Sequence, residues 1–212
     1  MAEIDEQVLE GLYLSIEEKI EEIKTALSEE LQQSSMFIDE SMKEQVESMM
    51  NHEKTYKFCI TFGEFRDTYD SEGKIEEVND FIPDEKAIAE NMSKFIGEIE
   101  QLPPKYSALK INGKRAYKLA RNGSDVEIKP RKVIIKKLEF LGFRDSNTAE
   151  FCVECGRGCY VRSLAVDIAK SAGAIGYVSE LIRTKVGNFD IENSLNIENI
   201  DYNLIEENII NI

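Results

Sequence analysis

The segment from Phe151 to Leu164 constrains the fold more than any other stretch of this chain. Residues 151–155 alternate apolar and polar side chains, which is typical of a strand with one buried face. Gly156 and Gly158 follow, and apolar residues then recur at helical spacing from Leu164. The sequence therefore predicts a strand, a tight turn and the start of a helix.

Arg162 lies just past these glycines, at the start of the predicted helix. A guanidinium group in such a place can hold an anion or a carboxylate in a two-point contact. The simpler alternative is an exposed arginine that ends a surface turn, since loops collect charged residues. Taken alone, the local sequence leaves both interpretations open.

The rest of the chain predicts an α+β fold. Helical spacing or capping residues mark residues 7–31, 40–50, 84–96, 163–173 and 178–183, with a break at Gln32–Ser35 and a basic helical turn at 114–121. Alternation marks strands at 56–62, 107–112, 126–128, 133–143, 151–155 and 186–189. Residues 67–73 have the composition of a loop.

The first predicted helix carries an apolar stripe at spacings of four and three residues: Leu9, Tyr13, Ile16, Ile20, Ile23 and Leu27. Such a stripe usually contacts a core, but it can also pair with a second helix. Self-association through this segment is therefore one open possibility.

Composition places the chain of 212 residues in the cytoplasm and away from membranes. No apolar run is long enough to span a bilayer, and the N-terminus is acidic. Four cysteines without an export signal indicate free thiols. Cys152, Cys155 and Cys159 suggest a metal site, but a fourth ligand is missing and strand alternation separates the first two, so we expect no metal.

Charge is distributed unevenly along the chain. Residues 1–53 carry 3 basic and 15 acidic residues, and residues 190–212 carry 6 acidic and no basic ones. Residues 105–137 carry 11 basic and 2 acidic residues. A basic stripe within an acidic chain suggests a polyanionic partner, although a solvated lysine-rich surface is the alternative.

Three segments occur in an order and spacing that resemble a known family. They are K-T-Y at 54–56 with F-G-E-F-R-D-T-Y-D-S-E-G-K after it, Q-L-P-P-K-Y-S-A-L-K-I-N-G-K-R-A-Y-K-L-A-R-N-G at 101–123, and C-G-R-G-C-Y-V-R-S-L at 155–164 with L-I-R-T-K-V-G-N-F at 181–189. Together they resemble the TruB-type tRNA pseudouridine synthases, which isomerise uridine 55 in the T-loop of tRNA.

The resemblance implies three regions in the chain. Residues 1–50 form an acidic helical segment, residues 51–189 a pseudouridine synthase-like domain with a basic insert at 105–137, and residues 190–212 an acidic tail. It also implies a mixed, largely antiparallel sheet flanked by helices. In this family an aspartate attacks a uridine that has left its base stack, and neither metal nor cofactor takes part.

The same resemblance implies roles for individual residues. Tyr56 would stack on the base and assist proton removal, and Arg162 would pair with the nucleophilic carboxylate. Tyr160 and Leu181 would line the pocket. The partner would be the T-arm stem-loop of tRNA, gripped through backbone phosphates by the basic insert, namely Lys105, Lys110, Lys114, Arg115 and Arg121.

One departure from the family pattern concerns the nucleophile. In the family it lies in a G-T-L-D-P type of segment upstream of the K-x-Y strand, and residues 1–53 contain no such segment. Their only aspartates are Asp5 and Asp39, and no proline follows Asp39. The alternative prediction is therefore a relative that binds structured RNA without performing chemistry.

Overall fold

The structure is a computed structural model that describes residues 6–107, 109–111, 114–117 and 128–194. Its contacts divide the chain into two units at the junction between Met50 and Asn51. No helix in the described part of the chain is both long and apolar enough to cross a bilayer.

The first unit is dominated by one helix, α1 (Glu6–Asn51), which is 46 residues long. The predicted break at Gln32–Ser35 is wrong, because the helix continues through it. Glutamine is a good helix former, and a serine costs a helix interior only about 0.5 kcal/mol relative to alanine. Four apolar side chains of the predicted stripe and its continuation are 46–66% exposed: Ile20, Ile23, Leu27 and Leu31.

The second unit is built on a six-stranded sheet whose neighbouring strands are all antiparallel. In spatial order the strands are β10 (Phe189–Asp190), β9 (Gly176–Val186), β1 (Lys54–Phe62), β8 (Thr148–Cys155), β7 (Arg131–Phe143) and β4 (Gly97–Gln101). Two small hairpin sheets join β2 (Glu64–Arg66) to β3 (Ile75–Val78), and β5 (Lys110–Ile111) to β6 (Lys114–Arg115).

Two helices flank the sheet, which confirms the predicted α+β class. Helix α2 (Glu85–Met92) starts at the predicted cap, where Asp84 accepts the Ala87 N–H at 2.7 Å, and a 3₁₀ turn (Ser93–Phe95) extends it. Helix α3 (Val161–Ser171) follows the glycine turn after β8. A second 3₁₀ turn (Ile191–Asn193) follows β10.

The core lies between one face of the sheet and these helices. Phe58, Ile60 and Phe62 of β1 are at most 1% exposed, and they cluster with residues of α3 such as Leu164. Phe58 stacks on Phe151 of β8 with ring centroids 5.3 Å apart. Because burying one such side chain contributes about 1.5–3 kcal/mol, this cluster holds α3 against the sheet.

The predicted short helix at 178–183 is wrong, since these residues belong to β9. Val178, Leu181 and Ile182 follow each other at helical spacing, which explains the error. In the structure a register shift opposite Cys59 and Ile60 interrupts the alternation of β9, and Leu181 and Ile182 are both about half exposed.

Three other predicted elements also differ. The predicted strand at 186–189 is interrupted: Val186 ends β9, residues 187–188 form a turn, and Phe189 begins β10 and pairs with Val186. The predicted strand at 107–112 is shortened to β5, and the predicted helical turn at 114–121 opens with β6, after which Ala116 and Tyr117 are helical. Residues 118–127, which include most of the predicted strand at 126–128, lie outside the described residues.

Candidate functional site

The side chain of Arg162 is held by three acceptors at the start of α3. Its Nη1 donates to the Asp70 Oδ2 at 2.7 Å and to the Thr68 carbonyl at 2.9 Å. Its Nη2 donates to the Tyr106 carbonyl at 2.8 Å. The Arg162 and Asp70 side chains are only 22% and 25% exposed. Arg162 is therefore not the cap of a surface turn, because it joins two loops to α3.

The loop that receives Arg162 has a conformation that side chains other than glycine rarely adopt. Tyr69 has a φ of +66°, which lies in the left-handed region. Its N–H donates to the Arg66 carbonyl at 3.0 Å, and its carbonyl accepts the Val178 N–H of β9 at 3.0 Å. Such backbone strain costs about 1–3 kcal/mol and persists only where the surroundings enforce it. The strain marks residues 68–70 as a positioned loop.

The carboxylate of Asp70 is fully engaged. Its Oδ1 accepts the Thr68 hydroxyl and the Glu72 N–H, while its Oδ2 accepts Arg162. Each of its two oxygens is thus already in use as a hydrogen-bond acceptor. Asp70 thus holds Arg162 through an ion pair in which both side chains are largely buried.

A buried amide fixes the first turn of α3. Gln101, at the end of β4, is 1% exposed, and its Oε1 accepts the N–H of Tyr160 at 2.7 Å. Its Nε2 is buried, and the Cys159 side chain lies next to the amide. One residue further on, the Leu102 carbonyl accepts the Ser163 hydroxyl at 2.7 Å. Together these bonds position Tyr160, a predicted pocket residue, as the N-cap residue of α3.

Tyr56 lies in β1 on the face that packs against the core. It is half-buried and pairs with Val153 of β8 and Arg183 of β9. Burial raises the pKa of the Tyr56 phenol, and proximity to Cys155 adds to this, whereas a hydrogen bond with Arg183 lowers the pKa. The Tyr56 phenol therefore carries its proton at neutral pH and has a cationic neighbour.

Leu181 shares a face with Tyr56. It lies opposite Phe58 in the β1–β9 ladder, two positions from the Tyr56–Arg183 pair, and it is 45% exposed. Directly opposed residues in an antiparallel pair project on the same side of the sheet. The structure thus brings Tyr56, Leu181 and Arg183 together as an aromatic, an apolar and a cationic side chain on one surface.

The relation between Tyr56 and Arg162 is indirect. Tyr56 interacts with Cys155 and Cys159, and Cys159 precedes Arg162 by three residues. Helix α3, which carries Arg162, packs on the same core as Tyr56. Within the described residues, the hydrogen-bond partners of Arg162 are Thr68, Asp70 and Tyr106.

The predicted basic insert starts beside Arg162. Lys105 is exposed and precedes Tyr106, whose carbonyl binds Arg162. The β5–β6 hairpin follows, and Lys110, Lys114 and Arg115 provide three of its four paired positions. Arg121 lies outside the described residues.

The C-terminal part of the basic stripe is partly neutralised. Lys132 pairs with Glu98 at 2.8 Å, Lys137 pairs with Glu139 at 2.9 Å, and Lys136 pairs with Glu53. The charge count over residues 105–137 therefore overstates the cationic surface along β7. Of the stripe, Lys105 is adjacent in sequence to the residue whose carbonyl binds Arg162.

Three residues of this site were not predicted: Asp70, Gln101 and Arg183. Asp70 lies 92 residues from Arg162 in a stretch that has the composition of an ordinary turn. Gln101 carries only a weak signal, a polar residue ahead of Leu102-Pro103-Pro104. The segment L-I-R-T-K contains Arg183 next to the predicted Leu181, and a strand assignment there would have placed Arg183 on the same face.

A cavity of about 470 Å³ lies elsewhere on the domain. It is lined by Asn51, His52, Glu53, Thr55, Glu154, Lys185, Gly187 and Asn188. Neither Tyr56 nor Arg162 lines it. In the part of the chain that the structure covers, no three His, Cys, Asp or Glu side chains cluster as metal ligands.

Comparison with known proteins identifies relatives over most of this domain. Residues 36–161 match the family model for the N-terminal domain of TruB family pseudouridylate synthases. The tRNA pseudouridine synthase B of Rickettsia bellii is 45% identical over 157 residues, which are 74% of this chain and 54% of that protein. The tRNA pseudouridine synthase B of Agrobacterium fabrum is 48% identical over 141 residues, 66% of this chain and 45% of that protein.

A solved structure of a Cbf5-Nop10-Gar1 complex contains a chain that is 25% identical, with a TM-score of 0.48 and coverage of 69% of this chain and 34% of that chain. The present chain spans about half the length of the curated relatives that it matches. The family model covers more than half of the chain, from α1 to the start of α3. The chain belongs to the TruB family of pseudouridylate synthases.

Proposed function

We propose that this chain acts on tRNA as a pseudouridine synthase, converting uridine 55 of the T-loop to pseudouridine. The proposal rests on family membership together with one geometric observation. Tyr56, Leu181 and Arg183 share one face of the sheet, where an aromatic ring, an apolar wall and a cation can receive an extruded pyrimidine.

The substrate class follows from charge and position. The basic β5–β6 hairpin starts four residues after Tyr106, whose carbonyl binds Arg162, so RNA phosphates gripped by the hairpin would direct a flipped base toward the same region. Lysine and arginine contacts to phosphates supply affinity without sequence specificity. A folded T-arm stem-loop offers both a backbone and a base that can leave the stack.

Arg162 supplies the second part of the proposal. The resemblance to the TruB-type synthases implies that this arginine pairs with the nucleophilic carboxylate. Here its guanidinium is ordered by Asp70 and by two carbonyl groups, so it is positioned before substrate binds. A preorganised cation stabilises a nearby carboxylate without further reorganisation.

An isomerisation assay tests this proposal. We expect release of tritium from a T-arm stem-loop labelled at C5 of the target uridine, because the C5 hydrogen must leave when the base rejoins through carbon. Tyr56→Phe and Arg162→Ala should each abolish the release, while Lys86→Ala, at an exposed site in α2, should leave it unchanged. Normal turnover by the Tyr56 and Arg162 variants would overturn the site assignment.

RNA binding without chemistry is the second candidate function. It is favoured by the lack of a G-T-L-D-P type of segment in residues 1–53 and by the full engagement of Asp70. In that case the chain would bind the stem-loop with an affinity that falls steeply with salt, and no tritium would be released. Measuring both binding and tritium release with the same stem-loop separates the two functions.

The partners and the location follow from the same proposal. The RNA partner would be the T-arm of tRNA in the cytoplasm, and the apolar stripe of α1 would pair with a second helix. Ile23 and Leu27 are 66% and 58% exposed, which leaves them accessible for such pairing.

A further inference from the structure

An 11-residue repeat of apolar residues runs along α1. Two positions in each repeat are apolar, and their eight members are Leu9, Ile16, Ile20, Leu27, Leu31, Ile38, Met42 and Met49. Helix α1 contains all eight of these repeat positions without interruption. Residues that are eleven apart in a helix differ by only about 20° around its axis. The repeat positions therefore form one continuous line along the helix.

A seven-residue repeat does not describe the same helix. Leu9, Ile16 and Ile23 are seven residues apart, but the next step reaches Glu30. The 11-residue spacing instead continues to the end of the helix, with four apolar members in each of its two series. Helices that keep such a period, about 3.67 residues per turn, wind around each other with a right-handed twist. The period therefore indicates that α1 packs lengthwise against another helix.

The repeat positions that the structure describes are open to solvent. Ile20, Leu27, Leu31 and Met42 are 46%, 58%, 65% and 58% exposed. From the first repeat position to the last, the helix is about 60 Å long. The other helices in the described part of the chain, α2 and α3, have 8 and 11 residues, and both contribute side chains to the domain core. Within the described residues, no other helix is therefore long enough to cover the repeat positions.

Charge is kept out of the repeat positions. Helix α1 contains 12 acidic and 3 basic residues, and none of them occupies one of the eight repeat positions. Two such helices can therefore bury these positions against each other without burying a charge. Their acidic flanks repel each other, and salt screens this repulsion. Pairing of α1 with a like-charged helix should accordingly become tighter as salt is added.

We propose that the partner of α1 is α1 of a second copy of this chain, packed along the repeat positions as a coiled coil. A partner helix must keep the same 11-residue period over about 60 Å to stay in contact, and a second copy has both that period and that length. This proposal rests on the helix pairing in the proposed function and names its partner. It does not depend on the reaction.

Sedimentation equilibrium of the full-length chain tests the pairing. We expect the mean mass to rise above that of one chain as the protein concentration increases, and added salt should shift this rise to lower concentrations. RNA binding through lysine and arginine weakens with salt, so the two interactions respond in opposite directions. Tritium release from the stem-loop is measured separately, so failure of the pairing can be told from failure of the proposed function.

Two neighbouring substitutions provide a matched comparison. Leu31→Glu and Gln32→Glu each add one negative charge at an exposed site of α1, and glutamate is a good helix former, but only Leu31 is a repeat position. We expect Leu31→Glu to weaken association by more than about tenfold, because it removes a buried leucine from each helix of the pair. Gln32→Glu should leave association close to that of the wild type.

Three results would overturn the proposal. They are a wild-type chain that stays monomeric at every protein and salt concentration, association that weakens as salt is added, and equal effects of Leu31→Glu and Gln32→Glu. If Leu31→Glu does not fold, the salt dependence of the wild-type chain still decides the question.

Discussion

Apolar side chains are exposed in helix α1 and buried in the sheet domain. The described apolar side chains at positions 20, 23, 27 and 31 of α1 are 46–66% exposed, whereas Phe58, Ile60 and Phe62 of β1 are at most 1% exposed. The domain thus buries its own core. The difference teaches that the sheet domain satisfies its own packing, whereas α1 presents apolar side chains to solvent at these four positions.

Removing a core aromatic ring should have the largest effect on stability. Phe151 is fully buried and contacts both Phe58 and Phe140. We expect Phe151→Ala to lower the free energy of unfolding by about 3–5 kcal/mol, because a cavity is left in the core. Leu27→Ala in α1 should change it by less than about 0.5 kcal/mol. Urea unfolding of the two full-length variants makes the comparison, and equal losses would contradict it.

Breaking the ion pair at the candidate site should have an intermediate effect. Asp70→Asn leaves Arg162 with a weaker partner, and we expect a loss of about 1.5–3 kcal/mol in the free energy of unfolding, the range for hydrogen bonds to charged groups. The matched control is Glu90→Gln, since Glu90 and Lys86 form an exposed pair at 3.8 Å. Glu90→Gln should lower the free energy of unfolding by less than about 0.5 kcal/mol. A larger loss in Glu90→Gln than in Asp70→Asn would contradict the expectation that the Arg162–Asp70 pair is the more stabilising of the two.

Asp167 in α3 should make stability fall as pH rises. Burial raises the pKa of this carboxyl above its ordinary value of 3.8, with Lys170 opposing the shift. The folded chain therefore binds the proton more tightly than the unfolded chain does. Its contribution to stability is full below 3.8 and is lost as the pH rises through the higher folded pKa. We expect Asp167→Asn to be more stable than the wild type at neutral pH and to lose this advantage in acid.

Asp145 is the control, because its contribution to stability should change with pH in the opposite direction. Hydrogen bonds from the backbone of Asn147 and from Thr148 lower the pKa of this carboxyl below 3.8. Its contribution to stability is full above 3.8 and is lost as the pH falls through the lower folded pKa. Asp145→Asn should therefore be less stable than the wild type at neutral pH only. Urea unfolding of both variants, measured from acid to neutral pH, checks these expectations. If both substitutions raised, or both lowered, the free energy of unfolding at neutral pH, the opposite pKa shifts of Asp167 and Asp145 would be contradicted.

A charge in the stripe of α1 should have the smallest effect on stability. We expect Leu27→Asp to change the free energy of unfolding of the sheet domain by less than about 0.5 kcal/mol, because Leu27 is 58% exposed. The same change should abolish concentration-dependent association in sedimentation experiments if the stripe pairs with a second helix. A wild-type chain that stays monomeric at all concentrations would refute that pairing.

The sequence predicted an element correctly where the spacing of its apolar residues matches the spacing of its buried side chains. In β8, buried side chains alternate with less buried ones, and this strand was recognised; β1 was recognised from its sequence alternation although Phe58, Cys59 and Ile60 are buried in succession. The β9 strand was missed because Val178, Leu181 and Ile182 follow each other at helical spacing, and because Leu181 and Ile182 are both about half exposed and so show no alternation of burial. The break predicted in α1 failed because glutamine and serine are tolerated inside helices.

Long-range contacts at the candidate site were less accessible to prediction. The order of the family motifs led to the prediction of Tyr56, Arg162 and Leu181 as site residues. The carboxylate that holds Arg162 could not be identified from the sequence. Asp70 is one of several acidic residues in a turn-rich stretch, and only the folded chain shows that Tyr69 adopts a left-handed backbone there. The buried amide of Gln101 is a similar case, because its partner is a backbone N–H group 59 residues away.

Crosslinking of a photoreactive base tests most directly whether the face carrying Tyr56 receives the target uridine. A T-arm stem-loop with 4-thiouridine at the target position would be irradiated with the full-length chain, and the attached peptides would be identified by mass spectrometry. We expect attachment at Tyr56, located by fragmentation because the adjacent Thr55 lines the cavity, or at Leu181 of β9, and loss of attachment in excess unlabelled stem-loop. Attachment only to α1, or to the peptides around Asn51 and Lys185 that line the cavity elsewhere on the domain, would contradict this placement.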